Sequence, residues 1–247
     1  MPGAVYLRVR VEVPIPSSSS QPIAADLPVA VSDARKTYGG AETPVVALDG
    51  VSLDVRRGEM VALVGPSGCG KSTLLNLVGC VDLPTAGRVL IDGRDTSALD
   101  DDALTLLRRD RIGTIFQFFN LLPALTIEAN VALPLVLQRV APAEIARRTA
   151  EVLASVGLAE KARAFPAQVS GGQMQRAALA RAIVHRPAVL LADEPTGNLD
   201  SVNGDLVLRL LRGLADDGQA ILMATHSAEA AAVCDRTIRM RDGRIAE

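Results

Sequence analysis

Residues 65–73 have the spacing of a phosphate-binding loop. They read Gly-Pro-Ser-Gly-Cys-Gly-Lys-Ser-Thr and match the pattern G-x-x-x-x-G-K-[ST]. Glycines let backbone N–H groups turn toward an anion, and a helix that starts at the loop points the positive end of its dipole there. The pattern predicts that Lys71 reaches the β- and γ-phosphates of a nucleotide and that Ser72 ligates Mg²⁺. The predicted nucleotide-binding residues of the loop are Gly65, Pro66, Ser67, Gly68, Cys69, Gly70, Lys71, Ser72 and Thr73.

The sequence on either side of this loop favours the functional interpretation over a chance glycine-rich turn. A buried-strand run, 60–64, precedes the loop, and an apolar helical stretch through Val78 follows it. The pattern requires this strand–loop–helix context. We expect Cys69 to be a spacer that contributes its backbone N–H to the loop and not a nucleophile.

Two carboxylates follow a second apolar run, residues 189–192. Asp193 stands at the predicted strand tip, where it suits a hold on Mg²⁺. Glu194 is one residue further and points elsewhere, so it can orient or deprotonate a water for attack on the terminal phosphate. An acidic pair after a strand often only caps a helix, but the phosphate loop upstream favours catalysis.

The elements that must position these residues follow an alternating pattern from Val29 onward. Short apolar runs that predict strands alternate with helical stretches; the runs lie at 60–64, 113–116, 188–192 and 220–224. Residues 127–165 are rich in Ala, Leu, Glu and Arg, which predicts a helical segment. The alternation predicts an α/β fold with a mainly parallel sheet covered on both faces, whose ligands lie at the carboxyl ends of the strands.

Composition excludes several other classes of protein. The 247 residues carry a net charge of −2 with no block of Lys or Arg, so we expect no nucleic-acid partner. Apolar stretches such as 131–137 fall far short of the roughly 18 residues that span a bilayer, so we expect that the chain does not cross a membrane by itself. The three cysteines form no CxxC pair, which indicates neither a zinc site nor a disulfide framework.

The first 28 residues are predicted to form an extension separate from a domain at 29–247. Residues 5–13 have a weak strand pattern, and the Pro/Ser stretch at 14–20 is typical of a flexible linker. A signal peptide is not expected because there is no continuous apolar region. Whether the extension is a tail or an overlong start assignment is left open.

A short motif further along the chain completes a recognisable set. Ser170, Gly171, Gly172 and Gln173 resemble the signature sequence of ABC-type ATPases. The phosphate loop, Gln117 after a strand, the signature, Asn198-Leu199-Asp200 and a lone His226 follow one another in that family's order over residues 29–247. The resemblance implies a P-loop NTPase fold with a RecA-like core, an antiparallel β subdomain and an α-helical subdomain at about 120–180.

The resemblance also implies an assembly and its ligands. Two copies of the chain would pair head to tail as a homodimer, with each ATP between the phosphate loop of one copy and Ser170–Gln173 of the other. The helix that starts near Gln173 would then present its N-terminus to the γ-phosphate. Asp200 would communicate between the two sites. The implied cofactors are ATP and Mg²⁺.

Further site residues take their roles from the same resemblance. Gln117 would contact Mg²⁺ and the attacking water, and His226 would hydrogen-bond the γ-phosphate and fix the catalytic Glu194. Tyr38 occupies the place of an aromatic residue that stacks on adenine; the alternative is an ordinary tyrosine at the edge of the core. The implied metal-binding set is Ser72, Gln117 and Asp193.

The sequence departs from the family pattern at several positions. Val169 stands where many members have Leu, and Met174 where they have a polar residue. Ser227 replaces the usual Asp but can still cap a helix. Ala129 replaces a Glu that is common in close relatives, which affects partner contacts more than hydrolysis. None of these changes predicts a loss of ATP hydrolysis.

Aromatic residues indicate a partner. Phe116, Phe118 and Phe119 surround Gln117 in the sequence. A core position on its strand explains Phe116, whereas Phe118 and Phe119 stand at the loop where the family couples to a membrane protein. Large apolar groups there suit docking of a partner helix. The stretches 116–126 and 194–201 resemble the subgroup that serves lipoprotein release, macrolide export and cell division.

The resemblance therefore implies an ATPase subunit bound at the cytoplasmic face of the cell membrane. It would power an integral permease for export, for lipoprotein or lipid extraction, or for mechanical signalling. One alternative is a soluble ABC protein that acts on ribosomes or DNA, although such proteins usually carry two motif sets or a coiled-coil insertion. Another is a phosphate-loop kinase, which would have no use for a signature sequence.

Overall fold

A computed structural model describes residues 27–39 and 43–246, so the strand predicted at 5–13 and the linker at 14–20 lie outside the described residues. The strands are β1 (Val29–Tyr38), β2 (Val45–Val55), β3 (Met60–Val64), β4 (Ala86–Ile91), β5 (Arg94–Asp95), β6 (Ile112–Ile115), β7 (Val189–Asp193), β8 (Ala220–Ala224), β9 (Arg236–Arg241) and β10 (Arg244–Ile245). The helices are α1 (Lys71–Val78), α2 (Asp101–Arg111), α3 (Ile127–Leu137), α4 (Pro142–Ser155), α5 (Gly171–Ile183), α6 (Ser201–Asp216) and α7 (Ala228–Ala232).

The central sheet has six strands in the order β10-β9-β3-β8-β7-β6. All its neighbouring pairs are parallel except β10 with β9, so the predicted mainly parallel sheet is confirmed. Strand β6 begins and ends one residue earlier than predicted. Since β3, β8 and β7 are neighbours, the phosphate loop and the two carboxylates follow strands that end at the same edge.

Alternate residues of the central strands pack into two different cores. On β3, Val61 and Leu63 join the cluster that contains α1, whereas Met60 joins the cluster that contains α5. This period of two is what a strand imposes on its side chains, and it buries both faces of the sheet. The sheet is therefore a rigid platform for the loops at its edge.

A second, antiparallel sheet has the order β2-β1-β4-β5. Its inner residues, among them Val31 and Val51, belong to the same core as Leu74 of α1. Helix α1 thus packs between the two sheets, and the antiparallel sheet implied by the family resemblance is present.

The segment predicted to be helical, 127–165, forms α3, α4 and a 3₁₀ turn at Ala159–Lys161. Asn130 of α3 is fully buried, and its amide accepts from the Leu122 N–H and donates to the carbonyl oxygens of Leu122 and Leu125. The bonds from this one side chain fix the loop that runs from β6 to α3. In the part of the chain that the structure describes, no helix is both long and apolar enough to cross a membrane.

Candidate functional site

A cleft of about 420 Å³ lies at the carboxyl ends of β3, β7 and β8. It is lined by residues from four of the predicted motifs and by one residue of β2: Ala47, Gly65, Ser67, Gly68, Gly70, Lys71, Ser72, Thr73, Gln117, Asp193, Glu194 and His226. The structure therefore brings together the phosphate loop, the carboxylate pair, Gln117 and the lone histidine. The most distant of these residues, Gly65 and His226, are 161 positions apart in the sequence.

Two glycines of the loop have no room for a side chain. A Cβ on Gly65 would lie 2.2 Å from the Met240 carbonyl oxygen, and one on Gly70 would lie 2.7 Å from the Ala47 carbonyl oxygen. Both have positive φ angles, +155° and +106°, and the second lies well within the left-handed region that favours glycine. A Cβ on Gly68 would meet nothing within 4 Å, so this part of the loop faces open space.

Helix α1 begins without a side-chain cap. Its N-cap residue is Gly70, and no side chain accepts a hydrogen bond from its first turn. The side chains that cap other helices are those of Asp100, Thr126, Ser170, Asp200 and Ser227. The first N–H groups of a helix have no partner within it, so this uncapped end suits an anion.

Backbone carbonyl oxygens of the loop hold the Lys71 side chain in place. Its Nζ donates to the carbonyl oxygens of Gly65 at 2.7 Å and Pro66 at 3.1 Å. The Cys69 side chain is buried in the core beneath, as expected for a spacer. The Cys69 N–H donates to the Pro66 carbonyl oxygen at 3.3 Å, and its predicted contact with a phosphate stays a prediction.

The first carboxylate, Asp193, ends β7 and is half-buried. Burial raises the pKa of Asp193, the neighbouring Glu194 raises it further, and the Lys71 ammonium acts in the opposite direction. A cation beside Asp193 would relieve this cost of burying its charge.

The oxygen donors of the cleft fit Mg²⁺. Ser72 and Gln117 line the cleft with Asp193, so a hydroxyl, an amide oxygen and a carboxylate are available. Among residues 27–39 and 43–246, no group of three or more His, Cys, Asp or Glu side chains could cage a metal. Mg²⁺ commonly takes one or two carboxylates, waters and substrate phosphates in place of such a cage.

The second carboxylate, Glu194, is paired with the histidine. Glu194 Oε1 lies 2.8 Å from His226 Nδ1, and Glu194 Oε2 accepts from the His226 backbone N–H at 3.3 Å. The Glu194 side chain is 17% exposed and that of His226 is 71% exposed. The imidazole therefore holds the carboxylate while its own far edge faces the open cleft.

Tyr38 does not line the cleft. It lies at the end of β1, is 39% exposed, and donates its hydroxyl to Asp82 Oδ2 at 2.9 Å. Lys36 also pairs with Asp82, and its Nζ lies 5.0 Å from the centre of the Tyr38 ring. Burial and the Asp82 carboxylate raise the pKa of Tyr38. Asp82 and Lys36 orient this ring, a role that no local sequence pattern indicates.

The signature residues lie away from the cleft of their own chain. Ser170 caps α5: its Oγ accepts from the Gln173 N–H, and Gln173 Oε1 accepts from the Ser170 N–H at 2.9 Å. Neither residue lines the cleft. Asp200 caps α6 and lines a separate depression that also contains Glu194 and His226.

One residue that the motifs miss joins the signature to this second depression. A Cβ on Gly172 would lie 2.1 Å from Asn203 Oδ1, so the Asn203 side chain occupies that space. Asn203 also donates from Nδ2 to Asp200 at 2.7 Å. A glycine in the signature is thus required by packing against α6.

The site combines a strand, a glycine-rich loop with its lysine and the helix that follows, and a carboxylate lies at the tip of β7, two strands away in the same sheet. These features define a nucleotide-binding protein of the phosphate-loop class. Comparison with known proteins narrows this class. Residues 48–197 match the family described as ABC transporter. The chain belongs to this family.

Individual relatives of the chain carry names that agree with this family. The chain is 46% identical over 213 residues to an ABC transporter ATP-binding protein of Thermotoga maritima, covering 86% of this chain and 91% of that one. It is 48% identical over 217 residues to the macrolide export ATP-binding/permease protein MacB of Hyphomonas neptunium, covering 88% of this chain. The chain spans about a third (34%) of the length of that export protein.

Solved structures show the same fold. The ATP-binding cassette MJ0796, in a dimeric post-hydrolysis state bound to ADP and Pi, is 43% identical with a TM-score of 0.81, covering 89% of this chain and 97% of that one. The cbiO1 protein from Clostridium perfringens, part of the ABC transporter complex cbiONQ, is 29% identical with a TM-score of 0.80, covering 90% and 88%.

Proposed function

We propose that this chain binds ATP in the cleft and hydrolyses it to ADP and phosphate. The observation that carries the proposal is that Lys71 and the Glu194–His226 pair line one cleft. A bound phosphate chain at the loop would lie beside a carboxylate able to act on a water. The ADP and Pi in the MJ0796 structure support the same reaction.

Each residue has a chemical task in this reaction. Lys71 and the uncapped start of α1 neutralise the phosphates. Glu194 orients the attacking water and accepts its proton, and His226 keeps the Glu194 carboxylate in place. Ser72, Gln117 and Asp193 would hold Mg²⁺. Mg²⁺ held there would supply positive charge against the negative charge that develops on the phosphates.

The direct test is phosphate release by the purified chain. We expect release that requires both ATP and Mg²⁺ and that stops when EDTA removes the metal. GTP and inorganic triphosphate as alternative substrates would measure what adenine recognition near Tyr38 contributes. A chain that is folded by circular dichroism but neither binds ATP nor releases phosphate would contradict the proposal.

We also propose that the working unit is a homodimer. Ser170–Gln173 lies outside the cleft of its own chain, so this capped helix start is available to a nucleotide on a second copy. The dimeric MJ0796 cassette supports this arrangement. Within each copy we assign residues 29–247 to the ATPase domain, about 120–180 to its helical subdomain, and 1–28 to an extension.

The partner that we propose is an integral membrane permease, with this chain peripheral at the cytoplasmic face. A groove of about 380 Å³ lies between β6, α3 and α5, and Phe116, Leu133 and Leu137 line it. Arg181 holds the adjoining loop by donating to the carbonyl oxygens of Phe119 and Asn120. An apolar groove with a fixed rim suits a partner helix.

Relatives support this partner over a ribosome or DNA. The export proteins carry ATP-binding and permease functions under one name, and this chain matches about a third of their length. A permease of that export or extraction type would supply the membrane-spanning part. It would also select the substrate.

Phe118 tests the docking site. It is 72% exposed beside the groove, and we expect Phe118→Asp to lower the membrane-bound fraction of the chain by at least about tenfold, as for an aromatic anchor of an interface. The measurement is co-sedimentation with membrane vesicles from the cells that make this chain. Val81→Asp is the matched control, because Val81 is 70% exposed but follows α1 in the chain and is not part of the loop at 116–119. Equal binding of the two variants would contradict the docking site, and ATP hydrolysis should be unchanged in both.

A further inference from the structure

The turn that carries Glu194 has an unfavourable backbone. Glu194 has a φ of +48°, in the left-handed region that residues other than glycine seldom adopt. The next residue is Pro195, whose ring pushes the preceding residue toward an extended conformation. Such conformations persist only where surrounding contacts hold them.

Backbone bonds account for part of this hold. The Glu194 N–H donates to the Ala224 carbonyl oxygen at 2.9 Å, and the Gly197 N–H donates to the Glu194 carbonyl oxygen at 3.0 Å. Between them, Pro195 has no N–H to donate. At Pro195 only the carbonyl oxygen can take part in a backbone hydrogen bond to the rest of the molecule.

Gln175 of α5 makes that tie. Its Nε2 donates to the Pro195 carbonyl oxygen at 2.6 Å and lies 3.5 Å from the Phe116 carbonyl oxygen. The Gln175 side chain is fully buried. The same amide thus contacts the turn after Glu194 and the residue before Gln117.

Burying the Gln175 amide would destabilise the fold if this side chain served only to fill space. Its Oε1 is buried and has no hydrogen-bond partner among the described residues. A buried amide with an unpaired oxygen is less stable than an apolar side chain of similar shape. The role of Gln175 therefore lies in the bond that its Nε2 makes.

We propose that Gln175 is a positioning residue for Glu194. By holding the Pro195 carbonyl oxygen it keeps the turn in the conformation that places the Glu194 carboxylate against His226 in the cleft. The same side chain belongs to α5, whose N-terminus carries Ser170, so the signature helix and the catalytic turn are connected within one chain. This inference rests on the proposed ATPase function.

Gln175→Met is the test, because methionine has a similar length and no donor. We expect kcat for ATP hydrolysis to fall roughly 10- to 100-fold, as a displaced catalytic group does, while KM for ATP stays within about twofold. Gln138→Met is the matched control: the Gln138 amide also donates to a carbonyl oxygen, that of Arg109 at 3.2 Å, but it bonds to α2 and not to the turn after Glu194. It should leave kcat unchanged.

A double-mutant cycle distinguishes positioning from a general loss of structure. In the Glu194→Gln background, measured by single-turnover phosphate release, Gln175→Met should cause no more than about a twofold further loss, because its effect passes through Glu194. A full second loss, or a raised KM with unchanged kcat, would overturn the proposal.

A second variant covers the case in which Gln175→Met unfolds. Gln175→Asn is smaller and keeps an amide, but its donor is one methylene too short for Pro195, so the same fall in kcat is expected. Wild-type kcat in a folded Asn variant would overturn the proposal. If the wild-type chain itself releases no phosphate, the proposed function fails. If the wild-type chain is active and the Gln175 variants are equally active, this inference fails and the proposed function stands.

Discussion

Glu194→Gln is expected to lower kcat for ATP hydrolysis by roughly 10²–10⁴, the usual contribution of a general base. The amide has the shape of the carboxylate, so it still fits against His226, but it cannot accept a proton from water. ATP binding should stay within about twofold, since the phosphate loop is unchanged. Because hydrolysis no longer separates the copies, dimers should accumulate with ATP.

Phosphate release and size-exclusion chromatography with and without ATP measure these two effects. Glu151→Gln is the matched control, because Glu151 is an exposed carboxylate paired with Arg147 on α4 and lies outside the cleft. The control should retain full turnover and no added dimer. Turnover at the wild-type rate in Glu194→Gln would remove Glu194 from the proposed mechanism.

Lys71→Ala is expected to weaken ATP binding by about 10- to 100-fold, which corresponds to the loss of one or two hydrogen bonds to a charged group. The structure gives the reason: the Lys71 ammonium lies over the loop, anchored on the carbonyl oxygens of Gly65 and Pro66. Its removal takes away both the positive charge and this tie. Isothermal titration with ATP and Mg²⁺ measures the change in Kd.

The chain offers a natural control, because it has only three lysines, Lys36, Lys71 and Lys161. Lys161 is exposed in a 3₁₀ turn and does not line the cleft, so Lys161→Ala should leave Kd unchanged. Lys71→Arg tests the geometry of the charge, since a guanidinium is larger and planar. Unchanged ATP affinity in Lys71→Ala would contradict the phosphate-binding role of the loop.

Local patterns were sufficient to predict the α/β fold, the phosphate loop and the carboxylate pair. The strand–loop–helix at 60–78 and the apolar run before Asp193 are short-range signals, and a parallel sheet brings the ends of its strands to one edge. Gln117 and His226, far apart in sequence, were expected there from the family resemblance, and the same rule explains why they lie beside the loop.

Contacts between distant residues could not be predicted in the same way. Asp82 orients Tyr38 from 44 positions away, and Gln175 reaches Pro195 across 20 positions. Nothing in the residues around either one distinguishes it from an ordinary loop acid or helix glutamine. The left-handed conformation of Glu194 is likewise set by tertiary bonds that act against its local preference.

The uncapped start of α1 has a consequence for folding as well as for recognition. Five other described helices have a side-chain cap at their first turn, and α4 begins with Pro142, which has no N–H to satisfy, whereas α1 leaves that task to whatever anion enters the loop. A bound nucleotide would therefore stabilise the first turn of α1, the helix that lies between the two sheets. By mass action its free energy of binding adds to the free energy of unfolding, so the chain should become more resistant to heat and proteases as nucleotide rises above its Kd.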